Sequence, residues 1–521
     1  MFRADHLRAE SVENIVGDIW KSLHRVGSLK ALATIMRMAI KTQDYAYEQI
    51  LFGRKYASGL GHRSPGLPVG LLYNIAVKLP AQGSNERKAE SFWDKAVCLA
   101  RDFVAMLDIE PYSQFAFLNV DARSLEDVLR WVAHYDHCFS LRQWHLSFTP
   151  QFLTGFFSDE FDTNMKHQLG WCVADAVQLA DVLKTHAKPG TLVVPIQLLE
   201  NRLDQGVFKS MLPFFAHREG ETNKKYRSPF GAEGPDVIFK PLILLNDNNV
   251  VLPAASVLGP ALFEAIFAAW AKGKAANEIA NLRGLAAERL TKNLFATHGF
   301  QPSFENAKYD MGDIGVGECD FVFEDEENII LVECKAKALT RGAMTGIQGE
   351  ALLDFAGGLF ASQAQALRHE RILRSSGAIH FLDETTLEFR DRRITRLTVT
   401  LVDHGALQDR TMLMNIYNAL LLAEVRCDSG YKKKKQIDEL NKNLRLFQQE
   451  TRLLEAAGQH INAHPHNAAS ASIAQLDILL ENVQSLTEVS SGLTPSLTHV
   501  TFNVLREHFL YQQMLNHKQP S

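Results

Sequence analysis

Two adjacent stretches, ECDFVFED (318–325) and NIILVECKA (328–336), decide the reading of this chain. In the second, Ile329, Leu331, Glu333 and Lys335 fall on one face of an extended strand and Ile330, Val332 and Cys334 on the other, because side chains alternate with period two. A run that is apolar on both faces marks a central, buried strand. An acid and a lysine two residues apart are conspicuous there, since burying either charge alone is costly and each needs a partner. A divalent cation held by carboxylates, next to a lysine facing an anionic phosphate, would supply those partners. Asp320 opens the preceding strand, separated from Glu333 by twelve residues and the acidic turn Glu324 to Asn328. Antiparallel pairing across that turn brings the two carboxylates together. Mg²⁺ usually takes one or two carboxylates plus waters and substrate phosphate, and Asp320, Glu333 and the main-chain carbonyl of Cys334 can furnish such a set. The metal would polarise the phosphate and acidify a water, with Lys335 stabilising the developing negative charge.

Working outward, LRGLAAERLTKNLFATHGF (282–300) has Leu290 and Leu294 on one helical face and Gly299 as a stop. QPSFENAKY (301–309) reads as a first strand, a second helix is expected from about 351 to 373, and RITRLTVTLVD (393–403) reads as a further strand. The order is α-β-β-β-α-β. With the D-x12-E-C-K spacing, segment 280–410 resembles the restriction-endonuclease-like PD-(D/E)xK nuclease superfamily. The resemblance implies metal ligation by Asp320 and Glu333 and a catalytic Lys335. It also implies a further glutamate on the first helix, for which Glu288 stands in place, and a glutamine on the second, for which Gln363 and Gln365 both qualify. Cys319 stands where the motif's proline would be. The function implied is a Mg²⁺- or Mn²⁺-dependent phosphodiesterase, an endonuclease rather than an exonuclease, acting on DNA. Lys337 and Arg341, just past the site strand, are the candidates for phosphate contact, which positions a nucleic acid without reading its sequence. Large unmatched flanks point to bacterial restriction or anti-phage defence by fold-level analogy. A DNA-repair nuclease, and a non-catalytic module that holds nucleic acid or protein on the same fold, stay open as alternatives. A homo-oligomer or a defence-system partner protein is also open.

At 521 residues the chain is too long for one core. Its texture suggests a multidomain protein: an α-rich part at 1–187, a small mixed α/β part at 188–279 with TLVVPIQLL and VIFKPLILL as strands, the α/β nuclease-like part at 280–410, and a helical region at 411–521. The last contains a polar stretch, 460–472, that reads as a flexible linker. Hydrophobic residues at 46% and charged residues at 22% fit a globular protein. A net charge of −5 leaves nucleic-acid binding to local basic patches. Beyond Lys337 and Arg341, the patches are Lys432 to Lys435 and the cluster Arg218, Lys224, Lys225 and Arg227, interleaved with Tyr226 and Phe230. Six scattered cysteines without a CxxC pair fit a reducing compartment. The N-terminus lacks the apolar run of a secretory signal, so a cytoplasmic location and no membrane partner are expected. The apolar stretch 250–271 is interrupted by Pro253 and Pro260 and reads as a strand followed by a buried helix. His134, His137, Cys138 and His145 have some metal-ligand spacing, but no second half of a zinc site follows. Gly59 and Gly61 lack the context of a phosphate loop, and Pro235-Asp236 has no ExK at a workable distance.

Overall fold

The computed structural model describes residues 12–40, 66–78, 88–107, 120–157, 159–186, 193–231, 233–272, 274–312, 315–347, 349–458, 465–495 and 502–518. Gly59 and Gly61 lie outside them. The protein is mixed α/β, and most of its described residues are helical. It divides into two compact units, one of residues 1–113, 131–279 and 344–347, the other of 114–130, 280–343 and 348–521. The mixed segment 188–279 is thus part of the first unit and the helical segment 411–521 part of the second. Among the described residues no helix is long and apolar enough to cross a membrane.

The first unit packs helices around an aromatic core in which Phe263 meets Phe152 and Phe156 at ring-centroid distances of 5.1 and 4.9 Å. Its small four-stranded sheet runs in the order Val193–Pro195, Asn249–Val251, Leu242–Leu245, Ala216–Arg218. Two strands expected from sequence are shorter than their apolar runs. In TLVVPIQLL, whose residues 191–192 lie outside the described ones, Val193–Pro195 is strand and the helix Ile196–Glu200 follows, while only the last four residues of VIFKPLILL form a strand. Pro195 ends the first strand, taking the N-cap of that helix without a backbone N–H to continue the ladder. The stretch 250–271 gives a strand end, one 3₁₀ turn and the helix Leu258–Ala271. Pro260 lies in that helix's first turn, where its missing N–H would have been unbonded anyway. Gly259 is required there, because a Cβ would stand 1.6 Å from the Trp144 Nε1.

In the second unit, helix α1 (Ala276–Thr297) leads into three antiparallel strands, β1 (Phe304–Asp310), β2 (Val316–Glu324) and β3 (Asn328–Lys335). Gly299 takes the left-handed φ of +88° that ends α1. A helical run follows: Glu350–Phe355, a π turn at Ala356–Phe360, then α2 (Ala361–Ser376). Strand β4 (Arg393–Thr400) returns parallel to β3, in the register Leu397↔Val332 and Thr398↔Glu333. Helix α3 (Lys434–Ala456) and strand β5 (Ala468–Ser472) follow, among further helices at Arg410–Leu420, Ile473–Leu479, Leu486–Leu493 and Val504–Lys518, and β5 adds to the far side of β4 in parallel. The sheet order is β5-β4-β3-β2-β1.

Every residue of β3 except Lys335 is buried, as its two-faced apolar run requires. On one side Phe323 stacks on Phe295 of α1, with ring centroids 4.2 Å apart. On the other, Ile329, Leu331 and Val322 join Leu373 of α2 and Ile379, Phe381 and Leu387 of a small two-stranded ribbon. Full burial of each such side chain contributes roughly 1.5–3 kcal/mol, so β3 is anchored by hydrophobic burial from Ile329 to Val332, while its buried Asn328 donates to Asp325 and Thr487.

The expected linker at 460–472 is corrected in its second part. Residues 460–464 lie outside the described residues, and 465–472 form a 3₁₀ turn and the wholly buried strand β5. Ala and Ser carry little strand propensity, so what makes AASAS a strand is the free edge of β4 beside it.

Candidate active site

The register Phe321↔Val332, taken one step further, sets Asp320 beside Glu333 at the end of the β2–β3 pair. Here the main-chain ladder stops and the Asp320 side chain takes over, its Oδ2 accepting the Cys334 N–H at 2.8 Å. In a strand the N–H and C=O of one residue point to the same side, so the Cys334 carbonyl points toward Asp320 as well. The next carbonyl, of Lys335, turns the other way and accepts from Leu401 N–H at 3.0 Å.

Glu333 is 1% exposed. Its Oε1 lies 3.1 Å from Nε2 of His369 on α2, and its Oε2 has no hydrogen-bond partner among the described residues. The Lys335 Nζ, on a side chain 25% exposed, stands 3.7 Å from that Oε2, too far for a hydrogen bond and close enough for a strong charge interaction. Burial first and the Asp320 charge second push the Glu333 carboxyl well above the usual carboxylate range, with Lys335 pulling the other way. Burial holds the His369 ring down at about 4 against the pull of Asp320. The His369–Glu333 contact is therefore a hydrogen bond with a neutral imidazole, not an ion pair.

Glu288 projects from α1 half-buried, its carboxyl raised by burial and by the charges of Asp320 and Glu318 and lowered by Lys335. It thus shares the electrostatic environment of the two strand carboxylates. The two glutamines separate. Gln365 donates from Nε2 to the Glu318 carbonyl at 2.9 Å and braces β2 just before Asp320. Gln363 donates to Thr398 Oγ1 at 2.9 Å and to the carbonyls of Arg396 and Ala469, which commits its amide to β4 and β5 on the opposite side of β3. Cys319 is buried in the core beside Ala307 and Tyr309.

Lys337 is held by its own unit: Nζ sits 3.2 Å from the buried Asp354 carboxylate and donates to the Leu353 carbonyl at 3.1 Å. It fastens the segment after β3 to the Glu350–Phe355 helix, and Gly357 leaves the room it needs, since a Cβ there would meet Nζ at 3.0 Å. Arg341 is exposed at the start of the short helix Arg341–Met344. Lys433, within the lysine run, pairs with Glu350. Tyr226, expected as an aromatic among surface cations, is instead a core residue whose ring stacks on His137, centroids 5.6 Å apart.

Two residues of the site's surroundings were missed from sequence, Tyr309 and His369. The available signal was the spacing of Gln365 and His369, four apart and hence on one helix face. Both meet the β2–β3 end. Among the described residues no group of three or more His, Cys, Asp or Glu side chains is gathered closely enough to hold a metal ion. Comparison of the chain with family models, curated proteins and solved structures finds no match.

Proposed function

We propose that the second unit is a metal-dependent nuclease of restriction-endonuclease-like fold that cleaves DNA, serving bacterial restriction or anti-phage defence. The observation that carries the reading is the end of the β2–β3 pair. Two carboxylates, Asp320 and Glu333, come close enough there for the Asp320 charge to act on Glu333, which is buried with one oxygen making no hydrogen bond, and a lysine stands 3.7 Å from that oxygen. The helix, three antiparallel strands, helical run and parallel strand around that point support the reading.

The residues present fit Mg²⁺ or Mn²⁺. Asp320, the Glu333 Oε2 that makes no hydrogen bond, and the Cys334 carbonyl are hard oxygen donors at one end of the β2–β3 pair, and Glu288 feels the Asp320 charge. An open set of two carboxylates suits Mg²⁺, which keeps several waters and a phosphate oxygen. The ion would supply Lewis acidity toward the phosphate. The chain's own residues do the rest. Asp320 is held in place by the Cys334 N–H and Glu333 by His369, while Lys335, partly exposed, presents a cation to the charge that develops on the phosphate.

The test is incubation with plasmid, linear duplex and single-stranded DNA with Mg²⁺ or Mn²⁺. Cleavage is expected with either metal and none in excess EDTA. Undiminished cutting in EDTA, or cutting that survives Glu333→Ala, would refute the reading.

A stability measurement gives an independent check. The folded-state pKa of Glu333 is raised, so the metal-free protein gives up stability as pH climbs from the unfolded carboxylate pKa through the folded value. Glu333→Gln removes that loss, and in chelator at pH 7 it is expected to melt several degrees above the native chain. It should also lose the upward shift that Mg²⁺ gives the native chain, since a ligand that binds only the folded state must stabilise it.

A further inference from the structure

We infer that Tyr309 and His369 are positioning residues that tie down one oxygen of Glu333 and leave the other free for a divalent cation, an inference that rests on the nuclease reading above. His369 is 1% exposed and lies between two partners: Tyr309 Oη at 2.7 Å from Nδ1, and Glu333 Oε1 at 3.1 Å from Nε2. The three residues come from β1, α2 and β3, so the relay spans the site rather than one element.

The direction of the hydrogen bonds follows from the chemistry of a ligand. A carboxylate that binds metal is ionised and can only accept. Nε2 must then carry the proton, Nδ1 of the neutral ring accepts, and the Tyr309 hydroxyl donates. In that arrangement Oε1 is held by the ring N–H and the ring by the Tyr309 hydroxyl. Oε2 is left without a hydrogen-bond partner on the side where Lys335 stands.

The seat of the tyrosine is built. Tyr309 pairs across the strands with Gly317, and a Cβ at Gly317 would stand 2.3 Å from the Tyr309 Cζ and 2.6 Å from its hydroxyl. The ring lies over the glycine, its edge meeting His369 at a centroid distance of 5.6 Å. Removing an outer-shell partner of a metal ligand typically weakens metal affinity or activity about 10- to 100-fold.

The test is Mn²⁺ affinity, read from the free-ion electron paramagnetic resonance signal, beside kcat and KM for DNA cleavage. The variants are His369→Ala, His369→Gln and Tyr309→Phe. Tyr309→Phe keeps the ring and its packing, so it reports on the hydroxyl even if His369→Ala fails to fold. His369→Gln offers an amide N–H to the same carboxylate. His369→Ala is expected to weaken Mn²⁺ binding about 10- to 100-fold with KM for DNA unchanged. Tyr309→Phe should weaken it by a smaller factor, and His369→Gln should recover most of the native affinity. Native Mn²⁺ binding left unchanged by Tyr309→Phe and by either His369 variant would overturn this inference and leave the nuclease reading standing. No Mn²⁺ uptake by the native chain would overturn both.

Discussion

Replacing Lys335 with alanine is expected to slow single-turnover DNA cleavage by about 10²–10³, the effect of removing one preorganised electrostatic stabiliser, while leaving Mn²⁺ affinity intact or slightly tighter. The geometry separates the two effects. Lys335 shares a strand face with Glu333 but cannot be a metal ligand, because an ammonium has donors and no lone pair. Its Nζ stands 3.7 Å from Glu333 Oε2, and its side chain is the only one of β3 that reaches solvent. Deleting it removes a positive charge next to the proposed cation, which favours the cation, and at the same time strips the phosphate of its stabiliser. Lys335→Arg should fail as well, since the guanidinium is larger, planar and fixed in charge. Metal titration beside single-turnover cleavage for each variant decides the matter. Native cleavage by Lys335→Ala would mean that β3 does not carry the catalytic lysine.

Glu370→Ala is expected to lower the stability of the second unit by about 3–5 kcal/mol, the usual result of removing one member of a buried ion pair. Arg396 on β4 and Glu370 on α2 face each other in the core with side chains 1% and 5% exposed, Nε to Oε2 at 3.2 Å. The same carboxylate accepts from Arg374 Nε and from Asn467 Nδ2, both at 2.8 Å. The alanine variant takes the carboxylate counter-charge away from a guanidinium that cannot reach water. At about 2–4 °C per kcal/mol for a unit of this size, the melting transition should fall by on the order of 10 °C. Burial alone would raise the Glu370 carboxyl, but Arg396, Arg374 and Asn467 together outweigh it and hold it below its usual value. A depressed carboxylate contributes stability that is present above its unfolded pKa and lost as pH falls through the folded one. The native chain should therefore lose part of this stability in acid, and Glu370→Ala should show less of that acid-dependent loss. Thermal melts of both proteins between pH 3 and pH 7 would reveal it, and equal melting temperatures at pH 7 would show that the pair contributes nothing.

The site strand itself was legible because its signal is local. Four apolar residues in a row, Ile329 to Val332, followed by charges two apart at Glu333 and Lys335, state a central strand with a polar end. The short acidic turn after ECDFVFE states its antiparallel partner, and from these two facts Asp320 meets Glu333. Helix α1 was legible on the same ground, from the spacing of Leu290 and Leu294 and the stop at Gly299. Periodicity says which face of an element is buried, but not which partner lies against that face. Gln363 and Gln365 are indistinguishable by type and nearly by position. Two residues on a helix differ by about 200° in direction, and only packing of α2 across the sheet sends one to Glu318 and the other to Thr398. Lys337 looked like a phosphate contact until Asp354, on a helix seventeen residues away, took its charge.

Sequence alone therefore determined a buried strand with an acid–lysine end, its antiparallel neighbour carrying a second acid, and the helices on either flank, because hydrophobic alternation and turn chemistry act over a few residues. Tertiary structure alone decided the partner of each buried polar group. It set His369 against Glu333 across 36 positions, joined Arg396 to Glu370, and turned the small polar run AASAS into the fifth strand. Those choices depend on the closing of long loops and on the cost of leaving a buried charge or hydrogen-bonding group unmatched, and neither is written in the neighbours of the residue concerned.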